Sequence, residues 1–219
     1  MQPVEAEPRD CNFVWTILEE TAHFVLTQES KHAVHELGSE RINAAHGPGG
    51  RTVQWSKMEN SVCFDDIPDI RGCVKVGVYY RPNKKNYPTI DSFVLMDGYI
   101  LDPSKYPRKG TIVLVLIQVT VSKSHWVNGS NVGRILERVY NRWEVKTRQK
   151  FDKALPVVLV FATRKYPKGV HTYQTPLKDG KEAFSSTRMP KIPQYSLVLE
   201  KDFETIWTVA ENYLPGTSE

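Results

Sequence analysis

The stretch TIVLVLIQVTVSKSH, Thr111 to His125, decides how this chain is read. Alternate side chains along a strand share a face. One face here carries Ile112, Leu114 and Leu116, then turns to Gln118, Thr120 and Ser122. The other carries Val113, Val115, Ile117, Val119 and Val121 before it ends in Lys123 and His125. A strand apolar on both faces belongs in a sheet that is covered on both sides. When one face turns polar partway along, the strand is delivering hydrogen-bonding groups, because a buried Gln amide needs partners.

The flanking sequence builds a sheet around this strand. VKVGVYY (74–80) and TIDSFVLM (89–96) predict two preceding strands, the second closed by Asp97-Gly98. Between them lies the basic, turn-rich RPNKKNYP, and DPSKYPRKG leads into the opening strand. Downstream, Asn131 to Lys146 predicts a helix. Val132, Ile135, Leu136, Val139, Tyr140 and Trp143 form one apolar stripe along it. PVVLVFAT (156–163) then reads as a strand buried on both faces. Three strands, a crossover helix and another buried strand predict an α/β fold with a mixed central sheet flanked by helices. Arg164 to Pro193 reads as a long mobile connection, and QYSLVLEKDFETIWTVAENYL as a last strand and a last helix.

Toward the N-terminus the signals are helical. Residues 1–11 read as a loose tail and 12–70 as a helical part continuous with the α/β core at 71–214. Trp15, Leu18, Ala22 and Val25 follow helical spacing, with Asn12 as the N-cap. A second helix is expected over Ser30 to Ala45, with Val34, Leu37 and Ile42 inward and HGPGG ending it. TVQWSKM and SVCFDDI are short edge strands or turns.

Composition narrows the classes. The chain has 219 residues, 40% of them hydrophobic, enough for a packed core. A net charge of +4 is compatible with an anionic partner. Cys11, Cys63 and Cys73 form no CxxC, so neither a disulfide framework nor a zinc site is signalled. The polar start MQPVEAEPRD has no apolar signal core, and no run is long enough for a membrane span. The sequon at Asn128 is therefore expected to meet no glycosylation machinery. GxxxxGK[ST] and GxGxxG are absent, which argues against a nucleotide-binding loop. His32, His35 and Glu36 in HAVHE lack the HExxH spacing and read as a solvated helix face.

The polar half of the opening strand needs something to face. The nearest candidate is Asp91 on the preceding strand, which projects with Gln118 to one pocket if the two strands pair. This spacing resembles the restriction-endonuclease-like nucleases of the PD-(D/E)xK pattern. There an Asp on one strand and an acidic residue or Gln on the next hold Mg²⁺ or Mn²⁺ against a phosphate, with Lys two residues on. Asp91 would be the metal ligand, Gln118 a second, neutral ligand or a phosphate orienter, and Thr120 a hydrogen-bond donor to phosphate. Thr120 stands in the Lys position, so Lys123 or His125 would replace the missing cation. The plainer alternative is a satisfied polar cluster at a strand end, with Asp91 accepting backbone or Gln118 hydrogen bonds.

A longer resemblance runs from Val74 to Trp207. Pro88, Asp91, Phe93, Gln118, Val119, Thr120, His125, Trp143, Gln194 and Tyr195 match a pattern similar to the C-terminal region of the retrotransposon hot spot (RHS) proteins of trypanosomes. That resemblance implies a nuclease-like, degenerate domain associated with the nucleus, transcription and RNA export, with the cytoplasm as the alternative location. Full-length family members carry a P-loop NTPase segment. Its absence implies a short member or one domain of the family plan, with longer RHS proteins as possible protein partners. Two basic, aromatic loops fit a nucleic-acid partner. Arg81, Lys84 and Lys85 sit beside Tyr79, Tyr80 and Tyr87, while Lys105, Arg108 and Lys109 surround Tyr106. Three functions follow as expectations: a binding protein for nucleic acid or a nuclear complex, a non-catalytic protein-interaction module, or a metal-dependent nuclease with a Gln-x-Thr site. No membrane partner is expected.

Overall fold

The computed structural model describes residues 8–38, 51–70, 74–84, 87, 90–120, 127–142, 155–163, 170, 174, 176–178, 181–182 and 192–199. The opening stretch forms β6 (Ile112–Val119), the strand around which the sheet is organised. Before it come α1 (Pro8–Thr27), β1 (Ser30–Glu36), β2 (Arg51–Trp55), β3 (Asn60–Phe64), β4 (Val78–Pro82), β5 (Ser92–Asp97) and a short α2 (Gly98–Leu101). After it come β7 (Val127–Asn128), α3 (Gly129–Arg142), β8 (Val157–Thr163), β9 (Pro176–Lys178), β10 (Lys181–Glu182) and β11 (Gln194–Val198). Eight strands make one mixed sheet in the order β2-β1-β11-β8-β6-β5-β4-β3. At its centre β6, β8 and β11 run parallel, while β4, β5 and β6 form an antiparallel meander. The fold is thus mixed α/β, as the strand and helix order predicts.

The two faces of β6 feed two cores. Val113, Val115, Ile117 and Val119 pack with Leu18, Ala22 and Leu26 of α1. Leu114 and Leu116 pack with Val132, Ile135 and Val139 of α3. Amphipathic stripes at helical spacing cover each face of a strand that has no polar residue until Gln118. The side chains of Tyr140 and Trp143 lie outside the described residues. No described helix is long and apolar enough to cross a membrane.

Several expectations change. The first helix begins at Pro8, so Asn12 lies inside it and does not cap it. Beyond Thr27 the expected helical part instead supplies three strands. Ser30 to Glu36 is a strand because its buried positions, His32 and Val34, recur with period two. It pairs on both sides, with β2 and β11. That pairing overrides the helical spacing of Val34 and Leu37, and residues 39–45 lie outside the description. His32 is fully buried there, so HAVHE is no solvated helix face. The segments given as edge strands or turns are the strands at the two edges of the sheet. VKVGVYY is strand only from Val78, because Gly77 adopts a positive φ of 76° that turns the chain. Within the expected mobile connection, β9 and β10 join β7 in a small second sheet, and Val170 and Gln174 are buried. The expected last helix, over 200–214, lies outside the described residues.

Gln194 shows how that connection is held. Its side-chain oxygen accepts the Gln174 N–H and its amide donates to the Gln174 carbonyl, both at 2.7 Å. The side chain thereby satisfies both main-chain groups of a buried residue as a neighbouring strand would.

Candidate functional site

Asp91 stands one residue before β5. Its N–H donates to the Ile117 carbonyl at 2.9 Å, and its Oδ2 accepts the Val119 N–H at 2.6 Å. Val119 is the residue between Gln118 and Thr120. The carboxylate thus reaches the Gln-Val-Thr segment through its backbone, in the place where a further ladder carbonyl would sit. Burial pushes the Asp91 carboxyl up to about 7, against the pull of the Val119 N–H and with help from the Glu19 carboxylate.

Beside it, under α1, runs a chain of buried polar groups. Ser92 Oγ and Tyr79 Oη share a hydrogen bond of 2.6 Å, and Tyr79 Oη and His23 Nδ1 one of 2.8 Å. His23 Nε2 lies 3.6 Å from Glu19 Oε1. Burial raises the Tyr79 hydroxyl far above the ordinary phenol range, so it stays protonated and hydrogen-bonded. Sequence reasoning missed Glu19, His23 and Ser92, and it set Tyr79 and Tyr80 beside a basic loop as rings for bases, whereas both are buried in the core. His23 within the apolar stripe of α1 was the available signal.

Gln118 and Thr120 are buried. By alternation they fall with Leu114 and Leu116 on the α3 face, whereas Tyr79 and Ser92, beside Asp91, lie on the α1 face. The Thr120 N–H donates to the Ala162 carbonyl of β8 at 3.0 Å. Lys85, Lys123 and His125 lie outside the described residues. A Mg²⁺ or Mn²⁺ centre needs several hard oxygen donors converging on one point. Among the described residues no three His, Cys, Asp or Glu side chains are so grouped. The Asp91 carboxylate is bonded to the sheet and pushed toward its neutral form. The described donors therefore do not fit such a centre.

The two basic loops lie at opposite ends of the sheet. Lys84 follows β4 at the Asp91 end, while Lys105, Arg108 and Lys109 follow α2 at the other end of β5. Arg81 makes a bidentate pair with Glu20 of α1, and Lys105 pairs with Glu36 at 2.7 Å. Arg108 and Lys109 are exposed, and the Lys109 ammonium lies 5.5 Å from the Tyr99 ring centroid. Asp97 shapes this loop by accepting the Tyr99 and Gly110 N–H groups.

The same end holds the densest polar cluster described. Asp102 is buried and accepts from Arg51 at 2.7 Å, the Ser104 hydroxyl at 2.6 Å, the Lys105 N–H at 3.1 Å and the Tyr195 hydroxyl at 2.9 Å. Burial alone would raise its carboxyl. The hydrogen bonds from Arg51, Ser104, Tyr195 and Lys105 outweigh burial and hold it well below the usual carboxylate range. Arg51 and Lys105 both approach the Tyr195 ring, at 5.9 and 6.0 Å from its centroid. Sequence reasoning passed over Asp102, although Asp-Pro-Ser is a turn signal in which the Asp side chain caps the following amides.

A third cluster ties α3 to the turn at Ile67–Asp69. Asp66 caps that turn and accepts from Tyr87 and Arg138. Comparison with protein-family models, with curated proteins and with solved structures finds no match for this chain.

Proposed function

We propose that this chain is a nucleic-acid-binding protein built on a restriction-endonuclease-like scaffold of the RHS type, acting in the nucleus without cleaving what it holds. What supports the scaffold is the β4-β5-β6 meander followed by α3 and the parallel β8. The observation that carries the function is the separation of the two ends of β5. Asp91 serves the backbone of Val119 at one end, while the exposed Arg108 and Lys109 stand beside Tyr99 at the other. Six residue steps of about 3.3 Å put roughly 20 Å between them. A phosphate held by Arg108 and Lys109 is itself out of reach of Asp91, and Tyr99 offers a ring for an unpaired base.

The test is a gel series with labelled single- and double-stranded DNA and RNA in Mg²⁺, Mn²⁺ or EDTA. The wild type is run beside Arg108→Glu/Lys109→Glu and Asp91→Asn. The expected result is a shift of intact nucleic acid that survives EDTA, weakens steeply with salt and is lost in the double variant only. Metal-dependent cleavage that disappears in Asp91→Asn would overturn the non-catalytic reading. A double variant that binds as well as wild type would remove the 103–110 loop from the interface. The second reading, a protein-interaction module, is favoured by one observation: an exposed edge strand that carries no charge.

A further inference from the structure

The eight-stranded sheet ends in two edge strands, β2 and β3. Natural edges are blunted by charge, proline, bulges or a covering element. On β2, Arg51 is such a charge. Asn60-Ser61-Val62-Cys63-Phe64 has none of these devices within the strand. It pairs in parallel with β4 alone, and Asn60, Ser61 and Cys63 are exposed. Phe64 turns its carbonyl inward to the Asn83 N–H at 2.7 Å. Alternate residues of a parallel strand turn both polar groups the same way. Ser61 and Cys63 therefore present their N–H and C=O groups outward. This strip of main-chain donors and acceptors, unmet by any described residue, is bracketed by two exposed acids, Glu59 and Asp65, the second also accepting the Asn83 side-chain amide at 3.2 Å.

We propose that β3 is a docking edge for an extended segment of another protein, one that adds as a ninth strand and carries Lys or Arg at both ends. Main-chain hydrogen bonds to Ser61 and Cys63 supply the affinity, and Glu59 and Asp65 supply the preference for basic ends. The span from Glu59 to Asp65 is about 20 Å, so the complementary cations stand about six residues apart. A second copy of this chain is the poorer occupant. Antiparallel pairing centred on Val62 would set Glu59 of each copy across from Asp65 of the other, and like charges directly opposite are destabilising. This edge lies three strand spacings, roughly 14 Å, from β6. Peptide binding here and nucleic-acid binding at the 103–110 loop can therefore be lost separately.

The probes are fluorescent peptides of about nine residues with an alternating Thr/Val centre. One is flanked by Lys, one by Glu, and one is the Lys peptide N-methylated at alternate amides. Fluorescence anisotropy is read against wild type and against Glu59→Lys/Asp65→Lys, a surface double variant that leaves the strand itself intact. The wild type should bind the Lys peptide about tenfold more tightly than the Glu peptide. The double variant should reverse that order, and the N-methylated peptide should bind neither protein. Amide exchange at Ser61 and Cys63 should slow when the Lys peptide is present. Equal binding of the two unmethylated peptides, retained binding after N-methylation, or no reversal in the double variant would each overturn the proposal. So would a concentration-dependent dimer that protects Ser61 and Cys63 without peptide, since the occupant would then be a second copy.

Discussion

Asp91 and Asp102 are the same residue at opposite ends of β5, both largely withdrawn from water, and the fold treats them in opposite ways. Asp102 collects a guanidinium, two hydroxyls and backbone N–H groups, and is held as a firm anion. Asp91 accepts from the Val119 N–H, and burial, with a smaller push from the Glu19 carboxylate, drives it toward its neutral form. The number and sign of the partners, rather than depth alone, decides whether a buried carboxylate keeps its charge. A nuclease would need the charge at Asp91. The molecule instead spends its electrostatic investment on Asp102, where α2, β2 and β11 meet.

The largest expected effect tests the anion. Asp102→Asn should cost ~3 kcal/mol near neutral pH, read by urea unfolding, because Arg51 and Tyr195 lose their charged acceptor. Its folded pKa lies below the unfolded value of about 3.9. Its contribution is therefore full above that pH and fades as pH falls through the folded pKa. The gap between variant and wild type should narrow on acidification. A gap independent of pH would mean that Asp102 acts through shape alone.

The same substitution at the other end should act with the opposite sign. The folded pKa of Asp91, about 7, lies above its unfolded value. The stability linked to its proton is complete below about pH 4 and is lost as pH rises through 7. Asp91→Asn keeps an acceptor for the Val119 N–H and cannot ionise. It should gain ~2 kcal/mol over wild type at about pH 8, with the gain shrinking toward pH 4. Destabilisation at about pH 8 would show that the ionised carboxylate has partners stronger than Val119.

The smallest effect concerns how Asp102 is seated. A Cβ at Gly98 would stand 2.7 Å from Val113 Cγ1 and 2.8 Å from Tyr106 Cγ. Gly98→Ala should therefore lift α2 from β6 and cost ~1 kcal/mol, seen as a lower Tm. If the pH dependence assigned to Asp102 weakens as well, the close approach at Gly98 sets the carboxylate geometry.

Where one local pattern dominated, the sequence was legible. β6 and β8 are apolar on both faces, and α3 has an unbroken stripe, so the sheet and its crossover could be read from alternation and period alone. β1 was misread because SKHAVHEL satisfies both a helical and a strand spacing. Its partners, Arg51 to Trp55 and Gln194 to Val198, are remote in sequence, and their pairing broke the tie. The candidate site was half legible. Asp91 does reach the Gln-Val-Thr segment, as the strand spacing suggested. Its bond goes to the Val119 N–H, however, and backbone contacts leave no mark on side-chain spacing. The two basic loops lie on either side of β5 in sequence, and that strand separates them by its whole length. Asp102 escaped notice because Arg51 and Tyr195 are brought to it only by the completed sheet.

The order of strands also constrains how the molecule comes into being. β11, synthesised after every other described strand, lies between β1 and β8 and joins the β1–β2 pair to the rest of the sheet. Until Gln194 to Val198 emerge from the ribosome, β1 and β2 have no neighbour on their inner side, and Tyr195 cannot reach Asp102. Such distant pairings close slowly, since the loop entropy must be overcome before any contact compensates it. A nascent chain halted before residue 194 would hold an unfinished sheet with β1 and β8 exposed as sticky inner edges, a natural point of attachment for a chaperone.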